Sequence, residues 1–400
     1  MGVSRQSRSA SSRPWLRWMP AVAAPALIAA VVLAAPLQAA VSPTLPAKTA
    51  EELVAMVAGN DVRALSGTLE KTVDLGLPQL SVGGSGSQKG SSAGTAASMP
   101  GVGDVLELLT TSHTVRIYLD GASKQRLQVL DTLAERDVVH NGNTVWGYDS
   151  ASNMATMVTL PATAQPSGPG SATPYSGSTA MVMPTPAAIA ARFLSNVDAT
   201  TGVSVGANTE IAGRSAYELV LEPRTSDTLI GKVSIAVDSS TGLPLAVTVQ
   251  AKGSTSAAFQ LAFSQLTLAA PAESMFTFEP PAGATVTRQT LPAPQDLKEP
   301  GTLPAPGESA PTAAPPTPTT TGTGWSTIVQ TPAGTVPASL TQSPPMAQIL
   351  QSVTGGYALH ASLFTILITP DGRLFAGAVP LTALQAAAAA PANPAAPAGK

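Results

Sequence analysis

The chain has 400 residues and a formal net charge of −3, and only 11% of its residues are charged. Its 37 Pro and 34 Gly are largely clustered in stretches that cannot fill a core, so the part able to fold is well short of the whole. There is no cysteine, which excludes disulfides, thiolate nucleophiles, sulfur-ligated zinc, Fe–S clusters and a lipid anchor on cysteine. Outside the first 40 residues the chain is acidic and has no basic patch to hold a phosphate backbone, which argues against nucleic acid as a partner.

The N-terminus carries Arg5, Arg8, Arg13 and Arg17 and no acid, then an uncharged apolar run over 19–37, then small residues. That order reads as a secretory signal, with cleavage after Ala39 or Ala40. The rival reading is a retained membrane anchor, since a spanning helix needs about 20 apolar residues. Pro20, Pro25 and Pro36 interrupt the run. Residues 1–40 are therefore a signal peptide or an N-terminal anchor. Both readings place the rest of the chain outside the cytoplasm, secreted or held at the membrane surface.

Residues 48–57 predict a short helix with Leu53, Val54 and Val57 on one side. A strand follows over 62–77, then a Gly/Ser/Ala-rich loop over 81–103. Strands are expected at 104–110, 112–120, 124–131, 135–142, 143–150 and 153–160. The segments between them are too short for crossover helices, and Asn141-Gly142 is a hairpin turn signal, so consecutive strands should run antiparallel. Val115, Ile117 and Leu119 alternate with Thr114, Arg116 and Tyr118, which gives one apolar and one mixed face.

After a Pro/Gly/Ser/Thr-rich loop at 161–180, residues 185–197 predict a helix. Thr185 caps it, Pro186 sits in its first turn, and Ile189, Phe193, Leu194 and Val197 form its stripe. Further strands are expected at 215–223, 228–238, 243–251, 257–269 and 274–281. The unit 48–290 is thus mainly β with helices, an α+β arrangement. Residues 291–323 read as a Pro/Thr-rich linker. Residues 324–382 read as a small helix-and-hairpin segment turning at Pro370–Gly372, and 383–400 as a disordered Ala/Pro-rich tail.

Three pieces together resemble a known family: VRIYLDGASKQRLQVL (115–130), DVVHNGNTVWGYDSASNMATMVTL (137–160) and FTFEPPAGATV (276–286). Asn141-Gly142, Val145-Trp146, Tyr148-Asp149, then Phe276 and Phe278 with Pro280, Pro281 and Gly283 carry the pattern. It is similar to that of the periplasmic lipoprotein-carrier superfamily (LolA, LolB and RseB-like proteins), in particular its actinobacterial secreted or membrane-anchored members. The resemblance covers about 50–290, and the C-terminal hairpin looks like a tail seen in such relatives. It implies a highly curved, half-open antiparallel β-barrel with helices covering the concave face and an apolar cavity that takes acyl chains.

The candidate cavity-lining residues are Ile117, Leu119, Leu127, Val129, Trp146, Tyr148, Phe193 and Leu219. Closed core is the competing reading for the strand aliphatics, and hairpin packing is the competing reading for Trp146 and Tyr148. A sheet that curves without closing cannot fill its concavity from its own strands, so helices or ligand must.

The sequence holds no nucleophile elbow, zincin helix, P-loop or dinucleotide fingerprint, so neither catalysis nor a cofactor is expected. Of the three histidines, His113 and His140 might face one another across strands, but no third ligand accompanies them and no metal site is expected. The expected function is extracytoplasmic binding or carriage of an acylated ligand, a lipid or lipoprotein. The alternative is a sensor or regulator that binds a membrane protein such as an anti-sigma factor. A reporter fused after Ser42 should be active outside the cytoplasm, and deletion of 19–37 should abolish that activity; cytoplasmic activity of the intact fusion would overturn the export reading.

Overall fold

The computed structural model describes residues 43–77, 112–130, 134–161, 185–290, 318–337, 341 and 344–390. The expected signal or anchor at 1–40, the loop at 81–103, the strand at 104–110 and nearly all of the loop at 161–180 lie outside the described residues. So does 291–317, most of the expected linker. Among the described residues no helix is long and apolar enough to cross a membrane.

The first sheet is built from two meanders. One comprises β1 (Ala64–Val73), β2 (His113–Asp120), β3 (Lys124–Leu130), β4 (Glu135–Asn141), β5 (Thr144–Asp149) and β6 (Met154–Thr159). The other comprises β7 (Thr201–Val205), β8 (Thr209–Ile211), β9 (Arg214–Pro223), β10 (Ile230–Asp238), β11 (Pro244–Ala251) and β12 (Ala257–Thr267). Antiparallel pairing of β1 with β12 joins them. A last strand, β13 (Thr285–Thr290), adds to β6 in parallel, and the order runs β13-β6-β5-β4-β3-β2-β1-β12-β11-β10-β9-β7, with β8 also on β9.

β13 and β7 end this order without pairing to each other, so the barrel is not closed. The sheet is nevertheless rolled. Four strand spacings separate β8 from β12, about 19 Å in a flat sheet, yet their Cα atoms come within 8 Å. The expected architecture, mainly β with helices and a curved, open sheet, is what the structure has.

Helix α1 (Ala50–Ala58) starts in a capping box: Glu52 N donates to Thr49 Oγ1 at 3.2 Å and Thr49 N donates to Glu52 Oε2 at 2.7 Å. Helix α2 (Pro186–Ser195) is capped by Thr185, whose Oγ1 accepts from Ala188 N at 3.2 Å, with Pro186 in its first turn as the sequence predicts.

Three departures from the sequence reading have physical reasons. Residues 274–281 are not a strand: Glu273–Phe276 is a 3-10 turn and the chain then crosses over β3 to β5. Its carbonyls are satisfied by side chains instead of a ladder. Arg126 Nη1 donates to Met275 O and Asn141 Nδ2 donates to Phe276 O, both at 3.2 Å. Strands β7, β8 and β13 went unread, because each is short or polar and lacks a clear alternation.

The C-terminal part is larger than a helix and hairpin. Its sheet has the order β14-β15-β19-β18-β17-β16. The strands are β14 (Thr319–Thr321), β15 (Ile328–Gln330), β16 (Gln351–Val353), β17 (Gly356–His360), β18 (Thr365–Ile368) and β19 (Leu374–Gly377). Helix α3 (Pro344–Ile349) precedes β16. The expected linker therefore ends at the sheet, not at 323. Residues 381–389 form α4 (Leu381–Ala389), whose Leu384 is fully buried, where a disordered tail was expected from 383. Alanine is the best helix former, and two leucines suffice to dock the run.

A buried ion pair fixes the turn after β10. Arg214 Nε and Nη2 donate to the Asp238 carboxylate at 2.9 and 2.8 Å, and Thr241 N and Ser240 Oγ donate to it at 2.9 Å. Burial alone would push the Asp238 carboxyl up, but the hydrogen bonds from Arg214, Thr241 and Ser240 outweigh it and hold the group below the usual carboxylate range. Its stabilising effect is complete above the unfolded-state value and is lost as pH falls through the depressed folded one.

The turn ends at Gly242, with φ +74° and its α-carbon against the Met56 carbonyl of α1. Gly142, φ +60°, has open space where a Cβ would go. Gly142→Ala should therefore cost only backbone strain, about 1–2 kcal/mol. Gly242→Ala should cost clearly more by urea denaturation, because α1 must also shift; equal losses would refute the close packing of α1 on this turn.

Candidate ligand-binding face

Register assigns every strand residue to a face. Leu65, Gly67, Leu69 and Lys71 lie opposite Leu119, Ile117, Val115 and His113 across β1 and β2. Ile117 and Val129 lie in turn opposite Leu127 and Val115 across β2 and β3. On the other side, Leu219 and Leu221 oppose Ile235 and Val233, which oppose Val247 and Val249. All of these side chains share one face.

Both helices cover that face. Leu53 of α1 and Ala190 of α2 are buried in a cluster with Tyr217, Leu219, Leu221, Val233, Ile235, Val237, Val247 and Val249. Ala187 and Ile189 of α2 also reach the neighbouring cluster of Leu65, Leu69, Val115, Ile117 and Val129, which Leu119 and Leu127 border. Six candidates, Ile117, Leu119, Leu127, Val129, Leu219 and Phe193, are thus brought to the helix-covered face. Ile117, Val129 and Leu219 are fully buried there.

Trp146 and Tyr148 are not with them. Trp146 lies opposite Val139, and Tyr148 opposite Asp137, on the face that also holds Arg126. There they meet Phe278 from the crossing segment, with ring centroids 5.4 and 5.7 Å away. Between Trp146, Val139, Asn141, Thr144 and Phe276 to Phe278 is a shallow, open depression of about 190 Å³, below the usual size of a small-molecule site. Periodicity could not foresee this. β5 alternates Val145 and Trp146 to opposite faces, and both are apolar.

The Arg126–Asp137 pair, 2.6 Å at its shorter contact, sits under the crossing segment. Burial pushes the Asp137 carboxyl up, against the opposing pull of Arg126. His113 and His140 do not face one another. His113 lies opposite Lys71, whereas His140 lies opposite Gln125 and Val145 near the other end of the strands and contacts the Gly142 carbonyl at 2.8 Å. Burial pushes the His140 imidazole down. Among the described residues no three His, Asp or Glu side chains gather as metal ligands.

The C-terminal part reaches the helix-covered face through Leu363 and through Trp325, which the sequence did not mark. Trp325 stacks on Phe193 of α2 at 6.1 Å, and its Nε1 donates to Thr201 Oγ1 at 2.9 Å.

No protein-family model matches the sequence, and no curated protein is similar to it by sequence. Solved structures are similar. MucB is 17% identical, over 84% of this chain and 94% of that one, with a TM-score of 0.38. MucB bound to periplasmic MucA is 16% identical, over 85% and 97%, with a TM-score of 0.39. A LolA-superfamily protein from Nitrosomonas europaea is 10% identical, over 58% and 99%, with a TM-score of 0.24.

Trp325→Ala should destabilise the protein by roughly 2–3 kcal/mol and speed amide exchange in α2 more than in β9 to β11. Uniform acceleration throughout the first sheet would show that Trp325 does not hold α2 in particular.

Proposed function

We propose that the protein is an exported, non-catalytic binding protein that takes the acyl chain of a lipid or lipoprotein between α2 and the apolar face of the first sheet. One observation supports this above the others: the cover over that face is thin. The strand residues beneath α2 are a continuous apolar surface, yet α2 fully buries only Pro186 and Ala190. Such a surface cannot stand open to water, so it needs an occupant, and a small-residue helix is an exchangeable one.

The energetics suit reversible carriage. Each buried methylene contributes about 0.8 kcal/mol, so a 16-carbon chain gains roughly 10 kcal/mol on leaving water. A chain drawn from a bilayer gains far less, because it was already dry, and displaced α2 contacts subtract further. Export follows from the arginine-flanked apolar run at 19–37, and the ligand is then met at or near a membrane surface.

A protein partner is the second reading. Among the described residues β13 ends the sheet with one edge unpaired, and its last four residues are exposed, which suits strand addition by a partner's extended segment. Two similar solved structures hold MucB together with MucA. A membrane protein of the anti-sigma type is the corresponding partner here.

Amide exchange separates the readings. Saturation with a fluorescent fatty acid should accelerate exchange over 186–195 while β9 to β11 stay protected. Phe193→Ala should weaken binding several-fold with the circular dichroism spectrum unchanged. No saturable binding by the delipidated protein would remove the carrier reading, and slowed exchange confined to 285–290 on adding a membrane-protein partner would favour the second.

A further inference from the structure

The face turned away from the helices carries aromatic side chains that the core does not use. Trp146 and Thr144 stand there on β5, with Asn141 beside them on β4. The crossing segment supplies the other wall of the depression. Its Phe276 is sunk against the sheet, 1% exposed, and its Phe278 reaches Trp146 at 5.4 Å. Trp146 and Phe278 both stay partly exposed after this packing, and both line the depression.

Side chains hold that wall in place. Arg126 Nη1 donates to Met275 O and Asn141 Nδ2 to Phe276 O, so the depression is formed before any ligand arrives. Asn141 uses its amide N–H on this contact and keeps its Oδ1 as an acceptor. Among the described residues, neither that oxygen nor the hydroxyls of Thr144 and Thr277 nor the Trp146 indole N–H has a protein partner. No charged side chain among the described residues lines the depression, and the Arg126–Asp137 pair under the segment satisfies itself.

We propose that this depression binds one uncharged pyranose ring of a glycan. The site lies on the opposite face of the sheet from the acyl-binding surface and stands or falls independently of it.

Size and chemistry both select such a ring. A cavity of about 150 Å³ takes benzene, so the 190 Å³ here admits one six-membered ring and little more. A plain apolar ring would strip water from the polar groups around it and return no hydrogen bond. A charged ligand finds no opposite charge to meet it. A sugar ring offers both surfaces that the depression needs. Its C–H face packs on Trp146 and Phe278, while its hydroxyls donate to Asn141 Oδ1, accept from the indole N–H and pair with the two threonines. The depression is open to the exterior, so the ring can belong to a longer glycan.

The test is saturation-transfer NMR, which reads the ligand, on the full-length protein with methyl β-D-glucopyranoside and methyl β-D-galactopyranoside. At least one should bind saturably, with roughly millimolar affinity for so small a ligand, and receive the strongest transfer at the axial C–H protons of one ring face. Trp146→Ala should weaken binding about tenfold or more. Thr277→Val should weaken it about threefold, on the order of one neutral hydrogen bond. Should Trp146→Ala lose its circular dichroism spectrum, Thr277→Val decides, since position 277 is exposed. Retardation in a native gel carrying dissolved neutral β-glucan or galactan assigns the ring to a polymer. Co-sedimentation with monogalactosyl-diacylglycerol vesicles, absent with phosphatidylcholine alone, assigns it to a lipid head. No transfer to either glycoside, transfer to cyclohexanol as strong as to the glycosides, or unchanged binding by the folded variants overturns the site.

Discussion

The structure depends on the pairing of β1 with β12, because it makes one sheet of two meanders that are far apart in sequence. That pairing contains a bulge. Thr68 lies opposite Gln265, but Leu69 lies opposite Phe263, so Ser264 is an extra residue. Before the bulge, Phe259, Leu261 and Phe263 point to the helix-covered face at odd positions. After it, Leu266 and Leu268 reach the same core at even positions. Without the extra residue, one set or the other would be turned to the opposite face. Gly67 completes the fit: a Cβ there would lie 2.8 Å from the Phe263 ring and 2.7 Å from the Gln265 carbonyl. Phe263 can therefore lie flat over β1, and no larger residue at 67 leaves room for it.

That bulge also shows how much the sequence makes legible. The change of parity in FQLAFSQLTL is visible in the residues themselves, and it lies inside a strand that periodicity located correctly at 257–269. The strands of the first meander, β9 to β12 of the second, the two helices and the cap of Thr185 were similarly readable, since each rests on local pattern or on one side chain bonding a nearby amide. Faces across the whole sheet were not. Ile117 and Trp146 both look like lining residues, but only the register through β3 and β4 shows that they point in opposite directions. The crossing segment 274–281 was misread for a related reason. FTFEPP alternates like a strand, but its carbonyls are claimed by Arg126 and Asn141, residues more than a hundred positions away.

The rolled, unclosed sheet explains why helices are required at all. A closed barrel of this size would fill its interior from its own strands. Here the path stops at β7 and β13, and the apolar face of β9 to β11 needs a lid from elsewhere. α1 meets that need as a fixed element, tied down by the turn at 238–243 and by Gly242 against its last turn. α2 is attached differently. Its fully buried side chains are small, its larger Ile189, Phe193 and Leu194 are only partly buried, and Phe193 is also held from outside by Trp325. One helix is built into the first sheet's core, and the other is clamped between that sheet and the C-terminal part.

Under the proposed function, this difference would couple ligand exchange to the C-terminal sheet. Trp325 spans the two parts, with its ring on Phe193 and its indole N–H on Thr201 at the start of β7. Nearby, Leu229 N and Thr228 Oγ1 both donate to the Ala378 carbonyl at 2.8 Å, and Leu75 packs among Ile349, Leu359 and Ala361. The seam therefore has backbone anchors that do not involve α2, as well as one contact that does. Moving α2 breaks the Phe193 stack but leaves the anchors at 228–229 and 75 in place, so the two sheets need not separate when the lid lifts. What changes is the surface around Trp325, which loses an aromatic neighbour and becomes exposed at the seam. A site whose occupancy alters an outward surface in this way serves a carrier, which must signal its loaded state at a membrane, and a sensor, which must signal it to a partner. Acyl exchange beneath α2, as proposed, would thus also present a surface that a protein partner could read.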